Sequence, residues 1–264
     1  MRLILGLTLT LFAVGCDDGA MVVDDAGTTP ETDAGLPPGD SGAPPVDSGA
    51  AREVACVDES ISQLMLFDDV SSGAITEESA ESGTFVHHVD ATAGGRAPTE
   101  SYVYARFTDA GLEKVEIDDE SAFESNDWHI ALRRFVIRVN GGVSGPGTVT
   151  AARTAPDTAF ETLDAVPDGL MYREEAYFTD TCEYVSDGSG IGSPATALAS
   201  FWTYAGCVAM TGNVYVVALP SGRHVKLQVL SYYSPDVQTT CDESSTISSP
   251  SGAGNLRIQW AFID

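Results

Sequence analysis

Short runs of alternating apolar and polar residues, set apart by clusters of Gly, Ser and Asp, dominate the chain from about residue 52 onward. Tyr102-Val103-Tyr104-Ala105-Arg106-Phe107 places Val103, Ala105 and Phe107 on one face, the period-two signature of a half-buried strand. Leu256, Ile258, Trp260 and Phe262 alternate with Arg257, Gln259 and Ala261, which predicts a C-terminal strand with one core face. Val214 to Leu219 and Val225 to Leu230 flank Pro220-Ser221-Gly222-Arg223 and read as a β-hairpin with a four-residue turn. Between Trp128 and Val139 the apolar parity switches, from Trp128, Ile130 and Leu132 to Phe135, Ile137 and Val139. That switch predicts either a strand buried on both faces or one carrying a bulge near Arg133-Arg134.

Helical signal is thin. Ser60 to Val70 fits a helix or a strand, and Pro194 to Tyr204 predicts a short helix with proline in its first turn. Gly and Ser gather at 140–147, 186–193 and 248–254, each a loop or turn. The fold class that follows is mainly β: a single antiparallel β-rich domain over residues 52–264, with few short helices.

The front of the chain is different. Arg2 precedes the apolar run Leu3 to Gly15, which is too short for a membrane span and has the layout of a secretory signal over residues 1–15. Gly15-Cys16 ends it in the manner of a bacterial lipobox, so Cys16 is the expected lipidation site and the means of membrane attachment. Residues 16–51 are rich in Asp, Gly, Ala, Pro, Ser and Thr, with Asp-Ala-Gly or Asp-Ser-Gly units starting at Asp25, Asp33, Asp40 and Asp47. Such a segment buries too little apolar surface to offset its ordering entropy and is expected to be a disordered acidic tether. It lacks the spacing and closing glutamate of an EF-hand loop.

Charge narrows the functional classes. The 39 acidic residues outnumber 13 Lys and Arg, for a formal charge of −26. Nucleic-acid binding, which needs clustered positive charge, is excluded on that ground. After Cys16, four cysteines remain: Cys56, Cys182, Cys207 and Cys241. An even number in an exported chain predicts two disulfides with three possible pairings, of which Cys182–Cys207 with Cys56–Cys241 is preferred. Zinc is the alternative, but no Cys-x-x-Cys pair or close Cys/His spacing supports it. A Gly-x-Ser-x-Gly elbow, a Walker loop and His-Glu-x-x-His are all absent from the sequence, which argues against the common hydrolase classes.

Three stretches in order carry a family resemblance: Ser101-Tyr102-Val103-Tyr104, then Asp127 through Gly147, then Val214 through Tyr233 with Leu256 to Phe262. The central stretch joins Trp128, His129, Arg133, Arg134 and Arg138 to Asn140-Gly141-Gly142. Together they resemble the HmuY-type haem-binding lipoproteins of Gram-negative bacteria, over roughly residues 100 to 264. The resemblance implies a mostly β fold, a cell-envelope location at the outer membrane or cell surface, and haem capture without catalysis. It also implies an outer-membrane transporter as partner.

Members hold haem iron through two histidines or through methionine, and relatives carry a histidine about where Arg133 stands. Here the motif's histidine is His129, so the candidate axial ligands are His129 with His87 or His88. Arg133 and Arg134, with Arg138, are the candidate propionate partners. His224, beside a turn, reads as surface, and Met65, Met171 and Met210 are possible soft ligands. The expected function is reversible capture of haem or another small hydrophobic ligand. The alternative is a non-haem module of the same family that binds a protein, glycan or other ligand.

Overall fold

A computed structural model describes residues 52–95 and 97–264. The expected signal sequence, Cys16 and the acidic tether lie outside the described residues. Among the described residues two α-helices, α1 (Val57–Gln63) and α2 (Pro235–Ser244), and three short 3-10 turns accompany twelve strands. The strands are β1 (Ile75–Glu81), β2 (Thr84–Asp90), β3 (Val103–Thr108), β4 (Gly111–Val115), β5 (Ile130–Arg133) and β6 (Val136–Val139). They continue as β7 (Thr150–Arg153), β8 (Trp202–Tyr204), β9 (Val208–Met210), β10 (Val214–Ala218), β11 (His224–Ser231) and β12 (Asn255–Ile263). Six of them form a sheet in the order β1-β2-β12-β11-β10-β7, four form a second sheet β4-β3-β5-β6, and β8-β9 is a separate ribbon. Every pairing is antiparallel, so the fold is the mainly β architecture the alternation predicts. Among the described residues no helix is long and apolar enough to cross a membrane.

Alternation explains the layering. Val103, Ala105 and Phe107 of β3 and Ile130, Leu132, Ile137 and Val139 of β5 and β6 share one buried cluster with Leu256, Ile258 and Trp260 of β12 and Leu227 of β11. The opposite face of the four-stranded sheet, carrying Tyr102, Tyr104 and Ala131, packs with Trp128, Tyr177 and Phe178 and with Leu64 just past α1. A third cluster, including Phe160, Val216 and Ala261, covers the outer face of the six-stranded sheet. The four-stranded sheet therefore packs on both faces and the six-stranded sheet buries one face fully and the other in part, which is why some strands read as apolar runs and others as clean alternations.

Three expectations are corrected. The stretch from Trp128 to Val139 is neither a single strand nor a bulged one but a tight hairpin, with Ile130 opposite Val139 and Arg133 opposite Val136. The parity switch marks a chain reversal through Arg134-Phe135, where Arg134 takes a φ of 52°. A two-residue hairpin loop needs such a left-handed residue, and glycine or asparagine is its usual occupant. The helix expected at 194–204 does not form. Its apolar residues Ala197, Leu198, Phe201 and Trp202 instead insert into the main core from turns leading to β8.

The disulfides are Cys56–Cys182 and Cys207–Cys241, with Cα separations of 5.4 and 6.0 Å, and not the preferred pairing. The reason is α2, which begins at Ser234-Pro235 and turns Gln238, Cys241 and Asp242 onto one face. Gln238 donates to Val208 O at 3.1 Å, and Asp242 accepts the Met210 N–H at 2.9 Å. Cys207, at the base of that same ribbon, thereby meets Cys241.

Both sulfurs of Cys207–Cys241 are buried. The double substitution Cys207→Ala/Cys241→Ala is expected to destabilise the domain by ~2–4 kcal/mol, as a crosslink over this separation predicts. Urea unfolding measures it, and an unchanged midpoint would show that the ribbon and α2 hold together without the bridge.

Candidate functional site

The alternation of β2 sends His87 inward and His88 outward. His87 is 2% exposed, and both of its ring nitrogens face donors: Trp260 Nε1–H at Nδ1, 3.2 Å away, and the Leu112 N–H at Nε2, 3.1 Å away. A neutral imidazole accepts at only one nitrogen, so only one of these contacts is a hydrogen bond at a time. Burial lowers the His87 pKa, opposed by Glu77 and Glu78. His129 accepts the Phe107 N–H at Nδ1 (3.0 Å) and stacks on the Phe107 ring. Burial, with the Arg106 charge adding to it, drives its pKa down to about 4. The ring is then neutral with its proton on Nε2, and its one lone pair, at Nδ1, is already taken by the Phe107 N–H. His88 Nε2 lies 2.9 Å from Asn255 Oδ1. The structure thus brings His87 and His129 to the same β3–β4 hairpin, but as partners of its backbone and with Phe107 and Trp260 in contact between them.

Arg133 and Arg138 are buried and turned away from solvent. Arg133 donates to Leu64 O and Met65 O, capping the C-terminal end of α1, where cations are favoured. Asp119, 1% exposed, lies 3.7 Å from Arg133 Nη1 and 3.8 Å from Arg138 Nη2. Asp119 also accepts the N–H groups of Phe67 and Tyr102 and the Tyr104 hydroxyl, at 3.1, 2.9 and 2.7 Å. The two guanidinium carbons each sit 4.1 Å from the Tyr102 ring centroid. Arg134 differs. It is half-buried, donates to Gly95 O at 2.7 Å, and has no carboxylate partner among the described residues.

Arg134 lines a cleft of about 360 Å³ with Leu64, Met65, Tyr102, Phe135, Tyr184 and Ile191. The walls come from four segments far apart in sequence: the end of α1, the approach to β3, the β5–β6 turn and the loop at 184–194. Met65 is 56% exposed and has a φ of 47°. Two non-glycine residues in the left-handed region, Met65 and Arg134, therefore flank one cleft, a kind of strain that concentrates at binding sites. Among the described residues no carboxylate lines it. None of the histidines does either. Met210 packs against the core, and Met171, 85% exposed, lines a different cleft. Sequence reading reached Arg133, Arg134 and Met65 but missed Tyr184 and Ile191. The one available signal was Ile191, an isolated apolar residue in a polar, glycine-rich loop. Among the described residues one grouping has metal-ligand proximity, Cys56, Glu59 and Cys182, and its sulfurs are joined in a disulfide.

Comparison with known proteins adds one finding at the level of sequence. The family model described as HmuY protein matches residues 98–244, more than half of the chain. No curated protein matches it. Among solved structures, a candidate lipoprotein of Bacteroides fragilis is 14% identical with a TM-score of 0.45, the match covering 70% of this chain and 92% of that one. A candidate HmuY-like heme-binding protein of Bacteroides vulgatus is 16% identical with a TM-score of 0.43, covering 71% and 96%. The apo HmuY analogue of Tannerella forsythia is 16% identical with a TM-score of 0.39, covering 75% and 100%.

Two predictions follow from the buried charges. Asp119→Ala leaves Arg133 and Arg138 buried without a counter-charge and is expected to cost ~3–5 kcal/mol in chemical unfolding. A loss below ~1 kcal/mol would mean that the two arginines find other partners.

The second concerns pH. The folded pKa of His129 is about 4 against an ordinary 6.5, so its stabilising contribution is complete above 6.5 and is lost as pH falls toward 4. Glu175 runs the other way. It is buried, accepts the N–H groups of Val139 and Ala197 (each 2.8 Å), and burial raises its pKa from 4.5 to about 7. Its contribution is greatest below 4.5 and is lost as pH rises through 7. His129→Asn is expected to flatten the acid side of the stability profile, and Glu175→Gln the side approaching neutrality. Urea midpoints measured across pH 4 to 8 read both slopes, and parallel profiles in variants and parent would overturn the assignment.

Proposed function

Because the chain belongs to the HmuY family, we propose that its domain captures haem or a related flat tetrapyrrole, without catalysis, in the cleft beside Met65 and Arg134. The carrying observation is the composition of that cleft. Aromatic and aliphatic walls suit the face of a macrocycle, Met65 presents an exposed thioether, and Arg134 is a cation with donors to spare. A thioether is an established axial ligand type for haem iron, and a guanidinium pairs well with a propionate. Iron bound there would supply coordination energy. The chain's own residues would supply apolar contact and the charge partner. A volume of about 360 Å³ is at the small end for ligand sites, so a tetrapyrrole would be held along part of its surface and stay open to solvent. That suits reversible capture and hand-over. The Bacteroides vulgatus protein described as heme-binding supports the ligand class.

The location belongs to the same proposal. Lipidation at Cys16 and the acidic tether would hold the domain at the cell envelope, and an outer-membrane transporter is the partner that family resemblance suggests. Of the residues expected at the site, this reading takes Arg134 as the propionate partner. His129 would serve only by releasing the Phe107 N–H, whether it then ligates through Nδ1 or moves its proton there and ligates through Nε2. His87 and His88 would likewise have to leave Trp260 or Leu112, and Asn255. This engagement of the imidazoles favours a second reading, a non-haem ligand in the same cleft.

One titration separates the two. Adding haemin to the purified protein is expected to give a saturable Soret change at one equivalent. Met65→Ala should weaken affinity by about tenfold or more and change the oxidised spectrum, while His87 and His129 variants that stay folded should titrate like the parent. A change that never saturates and matches that of an unrelated acidic protein would sink haem and leave the non-haem reading. Loss of binding in His129→Asn with Met65→Ala unaffected would move the iron site to the histidines.

A further inference from the structure

Eight of the described basic side chains have a carboxylate within 4.0 Å: Arg52, Arg106, Lys114, Arg133, Arg138, Arg223, Lys226 and Arg257. Among the described residues, Arg134, Arg153 and Arg173 have none. In a chain of net charge −26 an unpaired arginine is conspicuous, and each of these three lines a cleft. Arg134 belongs to the site above. Arg153 and Arg173 share another cleft, of about 410 Å³, on the open edge of β7.

That cleft arises because a strand pairing stops early. The chain at Arg173 bonds to β7 through a single bridge, with Ala151 and Arg173 exchanging N–H···O bonds of 2.9 and 3.0 Å. On the other side of β7 the Thr154 N–H donates to Val214 O of β10. Antiparallel alternation therefore turns the N–H and C=O of Arg153 toward the edge where the bridge has ended. Both arginine side chains are exposed, and among the described residues no carboxylate lines the cleft. Arg173 donates to Thr196 O at 2.8 Å, which fixes its guanidinium and leaves other donors unused. Glu175, whose charge bears on Arg173, has both oxygens committed to the N–H groups of Val139 and Ala197. Both arginines also bear on Tyr215, which closes the floor with its hydroxyl on Ala199 O at 2.7 Å. Ser200, with a φ of 73°, forms part of the rim.

We propose that this cleft binds an oxyanion, the phosphate or carboxylate of a small polar ligand, between the guanidinium groups of Arg153 and Arg173. Two planar forks from separate segments can each make paired, charge-assisted bonds to one anionic group. The acidic surface repels anions at long range, so capture depends on these local donors and weakens as salt screens them. The site is distinct from the Met65 cleft and stands without the haem reading.

The test is calorimetric titration of the purified full chain with orthophosphate and, separately, with citrate, at low ionic strength. Saturable binding of at least one probe is expected, weakening as sodium chloride is added. Phosphate alone saturating identifies a phosphate-bearing ligand, and citrate alone a carboxylate-bearing one. Arg153→Gln should lower affinity by about tenfold or more with thermal stability unchanged, since the Arg153 side chain has no partner among the described residues. Arg173→Gln gives a second reading of the same loss. Haemin titration of Arg153→Gln should match the parent. Three results would overturn the proposal: neither probe saturating, Arg153→Gln binding both as tightly as the parent, or an equal loss of haemin affinity, which would assign the arginines to haem.

Discussion

The buried carboxylate of Asp119 holds together the part of the molecule on which the Met65 cleft depends. It has no solvent and must be satisfied from within. Phe67, Tyr102 and Tyr104 give it three donors, and Arg133 and Arg138 give it charge. Each arginine then reaches elsewhere. Arg138 donates to the Tyr104 hydroxyl, and Arg133 grips the last carbonyls of α1 at Leu64 and Met65. One carboxylate thus ties the chain before β3, the β5–β6 hairpin and the end of α1 into a single unit. The exposed side chain of Met65 stands where it does because its carbonyl is held by a buried arginine. A hydrophobic replacement of the same volume could match this network in stability, so its value is better sought in the specificity of the arrangement it enforces.

That arrangement was only partly legible in the sequence. The alternation of β3, the β10–β11 hairpin and β12 is strong because each strand faces the shared core with β-branched or aromatic residues at period two. The β5–β6 reversal was hidden because its turn is Arg134-Phe135, with none of the Gly, Asn or Asp that normally announce a two-residue loop. Tertiary contacts override local preference here, since the Arg133 and Arg134 side chains are both anchored to carbonyls across the fold. Helix α2 was overlooked for the opposite reason. Its sequence is polar, and only Val237, Gln238 and Cys241 are buried, so there was little apolar periodicity to see.

Asn140-Gly141 was read as a simple turn, and its role is larger. The Asn140 side chain donates to Ser125 O and Trp128 O and accepts the Gly147 N–H, all at 3.0 Å. A Cβ on Gly147 would come within 2.6 Å of Asn140 O, and one on Gly145 within 2.8 Å of the Trp128 ring. Trp128, Asn140, Gly145 and Gly147 therefore form one packed knot, and the family-like motif is largely a structural one. Its most visible residues report on how the strands are joined, whereas Tyr184 and Ile191, which line the cleft, lie well outside it.

Charge and protonation show the same division between scaffold and site. Histidine attracts attention because it can ligate iron, but an imidazole beside a strand end is also a ready acceptor for a backbone N–H that has lost its ladder partner. His129 serves Phe107 and His87 approaches Leu112 in this way, and their burial favours the neutral form that such service needs. Arginine divides differently, because it stays charged wherever it is placed. In an acidic chain most arginines acquire a carboxylate by proximity, and exposed pairs of that kind contribute little to stability. A cation left without a partner against so much negative charge keeps its field for something outside the chain. By that argument the ligand chemistry proposed for this fold is to be sought at Arg134, Arg153 and Arg173, which have no carboxylate partner among the described residues, more than at the motif's histidine.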